Sequence, residues 1–409
     1  MGKKKTVNYV TIEVISSGLF ATQVLSVIKH TASSADFKVR LCVLSYPWHM
    51  WTLRREMKEL SRRCLNFGCE LVLIPCLVPV KFSMRNLALM WLIRKWLRLL
   101  MELLPSADLW HCRGYLVTDA VLQRRGARSV VFDMRSLWVD EHIATKTLKL
   151  GSKMVCRWRE VERDCVARSS YVLGVSEPMA RIGGRFSGNS YQTVPIAVDL
   201  ESCAFDGDAR EELRRSLGWS RSVVGVYSGS FGLSGLNENA LRAMLCEIFN
   251  QVSTARLLLL SSEPPARVRE LMAKVNNADG KWVHFEVATD QIGRYLSAGD
   301  FGIHALSPQP DADSRLGTKV VEYWANQLPA VVTSTVGAAA KIIRDHGLGL
   351  VVQVDGEGSQ VSWPTQIPSR EILRNAFAAF DMSDFSSVGV SARHIEIYKA
   401  CMNMAKQSI

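Results

Sequence analysis

The sequence predicts an α/β protein made of two Rossmann-like domains, and three observations carry that prediction. Short apolar runs alternate with helical patterns along the chain, the alternation occurs once on each side of a break near residues 183–195, and 409 residues exceed what one ordinary core holds. Alternating strands and helices give a parallel sheet covered by helices on both faces.

In the first half, Val7–Ile15, Val39–Leu44, Leu71–Ile74, Leu109–His111, Val130–Asp133 and Tyr171–Val175 read as strands. Helical stretches lie near 21–32, 51–66, 84–104, 115–125 and 153–168. The turn-rich residues 183–190 and Pro195 mark the join. The second half repeats the scheme with strands at Val223–Ser228, Ala255–Leu260, Trp282–Glu286, Phe301–Ala305, Ala330–Thr333 and Leu350–Val352, and helices near 237–251, 264–276, 290–298, 318–327 and 338–345. The expected divisions are residues 1–193, residues 194–385 and a C-terminal segment, 386–409, whose stretch from Ser391 to Ala405 is an amphipathic helix.

Hydrophobic residues make up 48% of the chain and charged residues 22%, the proportions of a folded protein. Its ten cysteines include no Cys-x-x-Cys pair, and Cys64 and Cys69 lack the His or Cys partners of a zinc site, so a metal site is not expected and a reduced, cytoplasmic setting fits best. The start, Met1-Gly-Lys-Lys-Lys, leads into a strand interrupted by Glu13 with no small-residue cleavage site after it, which reads as a basic tip and not a secretory signal.

Charge divides unevenly. The first 200 residues carry 30 Lys and Arg against 16 Asp and Glu, whereas the rest carries 20 against 23. With no zinc finger, RNP-type aromatic motif or Gly-rich clamp loop, nucleic acid is a poor partner for that basic half, and an anionic membrane surface is the better one. In the stretch from Met84 to Leu104, Arg94, Lys95, Arg98 and Glu102 fall on one side at 100° per residue, and Leu, Met, Ile and Trp fill the rest. An interfacial helix and a core helix with one charged stripe both have this pattern. Its longest uncharged run, Leu87 to Ile93, is far below the roughly 20 residues of a spanning helix. Basic residues at Arg54, Arg55, Arg62, Arg63 and Lys81 favour membrane contact.

The segment from Asp313 to Thr333 reads as a loop, a helix and a buried strand, and it carries the strongest chemical signal. Gly317 and Thr318 open the helix, where the dipole favours an anion, and Lys319 adds a full positive charge. Glu322 lies on the same face and offers its carboxylate to a sugar diol, although the two side chains also fit an ordinary i,i+3 ion pair. Asp313 and Ser314 precede the helix, and Arg315 supplies a second cation. A glycine-containing loop at Gly229, Ser230 and Gly232 follows a strand and allows close approach of a diphosphate.

This segment resembles the donor-site signature of glycosyltransferase family 4, with Leu328-Pro-Ala-Val-Val as its ending. Val226-Tyr-Ser-Gly-Ser-Phe-Gly is similar to the loop that opens the family's donor domain. Trp110-His-Cys-Arg-Gly-Tyr, Val131-Phe-Asp-Met-Arg-Ser-Leu-Trp-Val-Asp-Glu, Arg159-Glu-Val-Glu-Arg, Gly174-Val-Ser-Glu-Pro-Met and Val194-Pro-Ile-Ala-Val-Asp-Leu resemble the bacterial capsule and surface-polysaccharide branch. The pattern departs from the family at two places. The first of its two glutamates would stand at Ser314, with Asp311 and Asp313 close by, and no basic residue occurs between Ser222 and Ala240, where many members carry Arg and Lys.

The resemblance implies a GT-B fold, in which two Rossmann-like domains face each other across a cleft and the C-terminal helix crosses back to the first domain. It implies a retaining glycosyltransferase in which a nucleotide sugar is the donor substrate, a glycan, lipid-linked in that branch, is the acceptor, and no cofactor or metal is needed. Lys319, Arg315 and Glu322 are then the expected catalytic set. Gly229, Ser230, Gly232, Asp313, Ser314, Gly317 and Thr318 would line the donor site. His111, Arg113, Asp133, Arg135 and Glu141, at or after strand ends, would serve the acceptor. The expected place of work is the cytoplasm, with peripheral contact at the inner face of the membrane. A sugar-nucleotide epimerase and a non-catalytic membrane-associated scaffold share the architecture and are the alternative readings.

Overall fold

The computed structural model of the chain describes residues 4–77, 83–84, 86–185, 190–231, 238–356, 358, 360–362, 367 and 369–407. They form two units, Met1–Ala197 with Ser387–Ile409, and Val198–Ser386.

The first unit holds β1 (Lys5–Thr11), β2 (Phe37–Ser45), β3 (Glu70–Pro75), β4 (Leu109–Arg113), β5 (Val130–Asp133), β6 (Tyr171–Gly174) and β7 (Ser190–Thr193) in the order β3-β2-β1-β4-β5-β6-β7. Every neighbouring pair is parallel. Buried on both faces, β4 and β5 are covered along their whole length, which is why they read as continuous apolar runs with functional residues only at their ends. The order reverses between β1 and β4, which pair from Val7↔Leu109 to Val10↔Cys112. In such sheets the strands diverge at this reversal, leaving a crevice beyond their C-terminal ends. The last helix, Ser387–Gln407, belongs to this unit and packs on the helix Ser26–Ala32, where the Thr31 and Ser391 hydroxyls lie 2.9 Å apart.

The second unit repeats the plan with β8 (Val223–Ser228), β9 (Ala255–Leu260), β10 (Trp282–Phe285), β11 (Phe301–His304), β12 (Ala330–Thr333), β13 (Gly349–Val354) and β14 (Val361–Ser362), in the order β10-β9-β8-β11-β12-β13-β14. Only the edge pair β13/β14 is antiparallel among these strands. Its switch point lies between β8 and β11, whose last paired residues are Tyr227 and Ile303.

Several elements differ from the sequence expectation. β1 ends at Thr11, short of Ile15, and the helix expected over 51–66 is two helices, Pro47–Thr52 and Arg54–Asn66, broken at Leu53 (φ −104°, ψ 35°). The strands β7 and β14, and the helices Trp138–Ala144, Glu177–Arg185, Gly207–Ser216 and Arg374–Ala379, were not anticipated. β7 reads Ser-Tyr-Gln-Thr, an edge strand with no buried residue, so it carries no apolar signal.

Candidate functional site

In the second unit the strand ends at β8/β11 are bridged by one side chain. Along β8 the N–H groups of odd-numbered residues face β9, as Gly229 does in donating to the Leu260 carbonyl at 2.9 Å, while Ser228 faces β11. Beyond the last strand pair, the Tyr323 hydroxyl fills the gap: it accepts from the Ser228 N–H at 3.0 Å and donates to the Ile303 carbonyl at 3.1 Å. Tyr323 lies on the helix Thr318–Ala325, and its ring covers Gly302, where an added Cβ would stand 2.4 Å from a ring carbon. The helix is thereby fixed against the switch point with its start towards the end of β11.

At that start Gly317 has φ 77°, a left-handed conformation suited to glycine, and a Cβ there would lie 2.8 Å from His304 Nε2. His304, at the end of β11, is buried and its Nδ1 has no hydrogen-bond partner. Burial pushes its imidazole down to about 4, and the nearby charges of Arg315 and Lys319 act in the same direction. The site therefore holds a neutral histidine between two cations at ordinary pH. Arg315 Nε donates to Asp311 Oδ2 at 2.8 Å, and Lys319 Nζ donates to both oxygens of the buried Glu322 carboxylate at 3.1 and 2.9 Å. The i,i+3 ion pair and the candidate site are thus the same two residues.

Two placements differ from what the residues alone suggested. The Gly229 loop is not a row of amides turned outwards, because Gly229 N–H continues the strand ladder and Phe231 N–H donates to Glu263 Oε1 at 3.0 Å. Gly229 is still required by its φ of 139°, the exposed Ser230 accepts a hydrogen bond from Tyr227 Oη at its carbonyl, 3.0 Å away, and Gly232 lies outside the described residues. Asp313 is exposed, whereas Ser314 is buried in the short turn Ala312–Ser314 with its hydroxyl on the Asp311 carbonyl at 2.8 Å. Asp300, at the opposite end of β11, is structural: it accepts from Arg210, from Arg214 and from the Val224 N–H at 2.7 Å.

In the first unit, His111, Arg113, Asp133 and Arg135 meet in one buried network at its own switch point. Arg113 pairs with Glu13, lies 3.4 Å from Asp133 and donates to Gln23 Oε1 at 2.9 Å, which Arg135 also reaches at 2.6 Å. Gln23 sits on the π-helical turn Phe20–Leu25, a rare conformation that recurs at functional sites. Arg135 has φ 57°, uncommon for a side-chain-bearing residue. Burial alone would raise the Asp133 carboxyl, but Arg135, His111 and Arg113 outweigh it and hold it well below the usual carboxylate range. His111 has no exposed surface; its Nδ1 shares a hydrogen bond with Tyr398 Oη at 2.9 Å, and Tyr9 stacks on its ring at 4.3 Å. Glu141 stands apart, half-buried in the first turn of the helix Trp138–Ala144. Sequence reading missed Glu13, Gln23 and Tyr398, whose spacing along the chain gives no sign that they converge.

The helix Leu87–Leu103 has two apolar faces. Met90, Ile93, Leu97, Leu100 and Met101 enter the core, while Trp91 (61% exposed), Leu92, Leu99 and Leu103 (74% exposed) face outwards with Lys95 among them. The core reading explains only the first face. Arg94 departs from the charged stripe expected in water: it makes two bonds of 2.7 Å to Asp119 on the helix Tyr115–Leu122. Among the described residues no helix is long and apolar enough to cross a membrane, and no group of three or more metal-ligating side chains occurs.

Residues 224–360 match the family model described as glycosyl transferases group 1. No curated protein sequence matches the chain. Among solved structures, the fold is similar to sucrose-phosphate synthase (tll1590) from Thermosynechococcus elongatus, at 14% identity over 99% of this chain and 98% of that one, with a TM-score of 0.60. It is similar to Anabaena Alr3699/HepE in complex with UDP and glucose, at 14% identity over 97% and 100%, TM-score 0.61. It is also similar to WaaG, a glycosyltransferase involved in lipopolysaccharide biosynthesis, at 15% identity over 98% of each chain, TM-score 0.58. The chain has the two parallel-sheet units of GT-B glycosyltransferases, and its second unit is a glycosyl transferase domain.

Proposed function

We propose that this glycosyltransferase is a retaining enzyme of family 4 that moves a sugar from a nucleotide-sugar donor to a glycan acceptor, lipid-linked, in building a surface polysaccharide. The observation that carries the donor side is the helix start at the β8/β11 switch point, where Gly317, Lys319, Glu322 and Arg315 surround the end of β11. There the helix dipole and two cations offset the charge of a leaving diphosphate, and the Glu322 carboxylate accepts from a sugar or ribose diol.

In the reaction, the bond from the anomeric carbon to the diphosphate oxygen breaks and a bond from the acceptor oxygen forms on the same face. The leaving phosphate oxygen takes the acceptor proton. Lys319 and Arg315 stabilise the departing nucleoside diphosphate, and the neutral His304 adds no further positive charge. Arg135 and Asp133, pinned by Gln23 and Arg113, serve the acceptor in the first unit, with His111 behind them and Glu141 on the neighbouring helix. No cofactor enters this scheme. The second apolar face of the helix Leu87–Leu103, with its basic neighbours, rests on an anionic membrane at its cytoplasmic side.

Thermal unfolding against a panel of nucleoside diphosphates and nucleotide sugars tests the donor site. Ligand at about 100 times its dissociation constant adds roughly 2.7 kcal/mol. A shift with one nucleotide that Lys319→Ala and Glu322→Ala both remove, each measured against its own baseline, supports the assignment. Absence of a shift with every nucleotide overturns it.

A further inference from the structure

A groove of about 470 Å³ in the first unit lies apart from both strand-end crevices, between the helices Leu87–Leu103 and Lys153–Arg168. Both helices pack on Tyr115–Leu122, which sets them side by side. One wall is apolar, made by Leu87, Met90 and Trp91. The opposite wall carries Lys153, Cys156, Arg157 and Glu160, and Arg94 stands at the floor.

Charge distinguishes this groove from a plain apolar furrow. Its lining holds three cations against one carboxylate. Arg94 is matched by Asp119 and Arg157 by Glu160, whereas Lys153 makes no ion pair with any described residue. An apolar wall facing an uncompensated cation fits a molecule with a hydrocarbon part and an anionic head, and the volume is within the range of small-ligand sites.

We propose that the groove binds one anionic lipid, its chain along Leu87, Met90 and Trp91 and its phosphate on Lys153, with Arg157 next to it. A free phosphate leaves the apolar wall in water, and a neutral chain leaves Lys153 unmatched, so the occupant is the amphiphile. None of the residues assigned above to the donor or acceptor lines this groove.

Cys156 supplies the readout. It is exposed and lines the groove, eight of the other cysteines are buried, and Cys246 is half-buried elsewhere. The rate of maleimide modification of each thiol in the full chain, followed by mass spectrometry, is measured with dodecyl phosphate below its micellar concentration, with inorganic phosphate and with dodecyl maltoside. At ten times its dissociation constant, dodecyl phosphate should slow modification of Cys156 about tenfold by mass action, leaving Cys246 unchanged. Inorganic phosphate and dodecyl maltoside should give no such protection, and Lys153→Glu should abolish the effect of dodecyl phosphate. Equal protection by the maltoside, protection by phosphate alone, none by dodecyl phosphate, or undiminished protection in Lys153→Glu would each overturn the proposal. The wild-type comparison decides the matter even if the variant does not fold.

Discussion

Replacing Tyr323 by Phe removes one oxygen and isolates the hydrogen bonds that shape the switch point of the second unit. The ring remains over Gly302, so packing is kept. The Ser228 N–H, aimed at β11 where strand pairing has already ended, loses its acceptor, and the Ile303 carbonyl loses a donor. Tyr323, Ser228 and Ile303 are all buried, so water does not replace the lost partner. A buried polar group left unsatisfied costs about 1–3 kcal/mol, and a carbonyl tolerates the loss better than an N–H. The expected total is about 2–3 kcal/mol, read as the change in urea midpoint at unchanged slope. The Gly229 turn follows Ser228 directly, so the stabilisation contributed by any nucleotide that shifts the wild type should shrink as well. A change below about 0.5 kcal/mol, typical of a surface substitution, would refute the idea that this hydroxyl bridges the strand ends.

Three further outcomes follow from the same geometry. Gly317→Ala should destabilise by about 2–3 kcal/mol in urea unfolding, because the φ of 77° disfavours a side chain and the new Cβ meets His304; a gain in stability, usual for Gly→Ala at a compatible position, would count against the described turn. The His304 imidazole, held at about 4 when folded and near 6.5 when unfolded, takes its proton first in the unfolded chain, so stability falls as pH drops below 6.5 and the loss levels off below about 4. That contribution reaches about 3 kcal/mol, and the stability difference between wild type and His304→Gln should change across this window; a flat difference contradicts it. Leu99→Glu with Leu103→Glu should leave the urea midpoint within about 0.5 kcal/mol, since both positions are exposed, yet reduce co-sedimentation with anionic vesicles; undiminished vesicle binding removes this face from the membrane reading.

Fold class was legible because parallel strands buried on both faces are continuous apolar runs, and β5, β8, β9 and β12 appear with the bounds their sequences suggest. The helix Trp138–Ala144 and the edge strand β7 were illegible for the opposite reason: each buries one residue or none, so neither has a periodic face. At the candidate sites the residue types were readable and their partners were not. Lys319 and Glu322 are close in sequence and their pairing follows from helix geometry alone. The partners of His111 and Arg113 lie 287 and 100 residues away, at Tyr398 and Glu13: the packing of the last helix against β4 brings the first pair together, and the pairing of β1 with β4 the second.

On the proposed donor reading, the charge balance at the second-unit site sets how a diphosphate would enter. Asp311 and Glu322 already neutralise Arg315 and Lys319, and Ser314, where the first glutamate of the family 4 motif would stand, is buried with its hydroxyl on the Asp311 carbonyl. The Asp311–Arg315 pair is nearly enclosed, at 2% and 13% exposure, whereas Lys319 is 34% exposed and can turn its ammonium away from Glu322 towards a phosphate. Glu322 thus competes with the diphosphate for Lys319 while offering the carboxylate that a ribose hydroxyl needs. Glu322→Gln separates the two roles. Pyrophosphate, which has no ribose, should bind more tightly by about twofold to fivefold, the worth of a partly exposed ion pair, while the nucleoside diphosphate identified by the panel should bind more weakly for want of the charged acceptor. Calorimetric titration of both ligands distinguishes this from simple damage to the site, in which the two affinities would fall together.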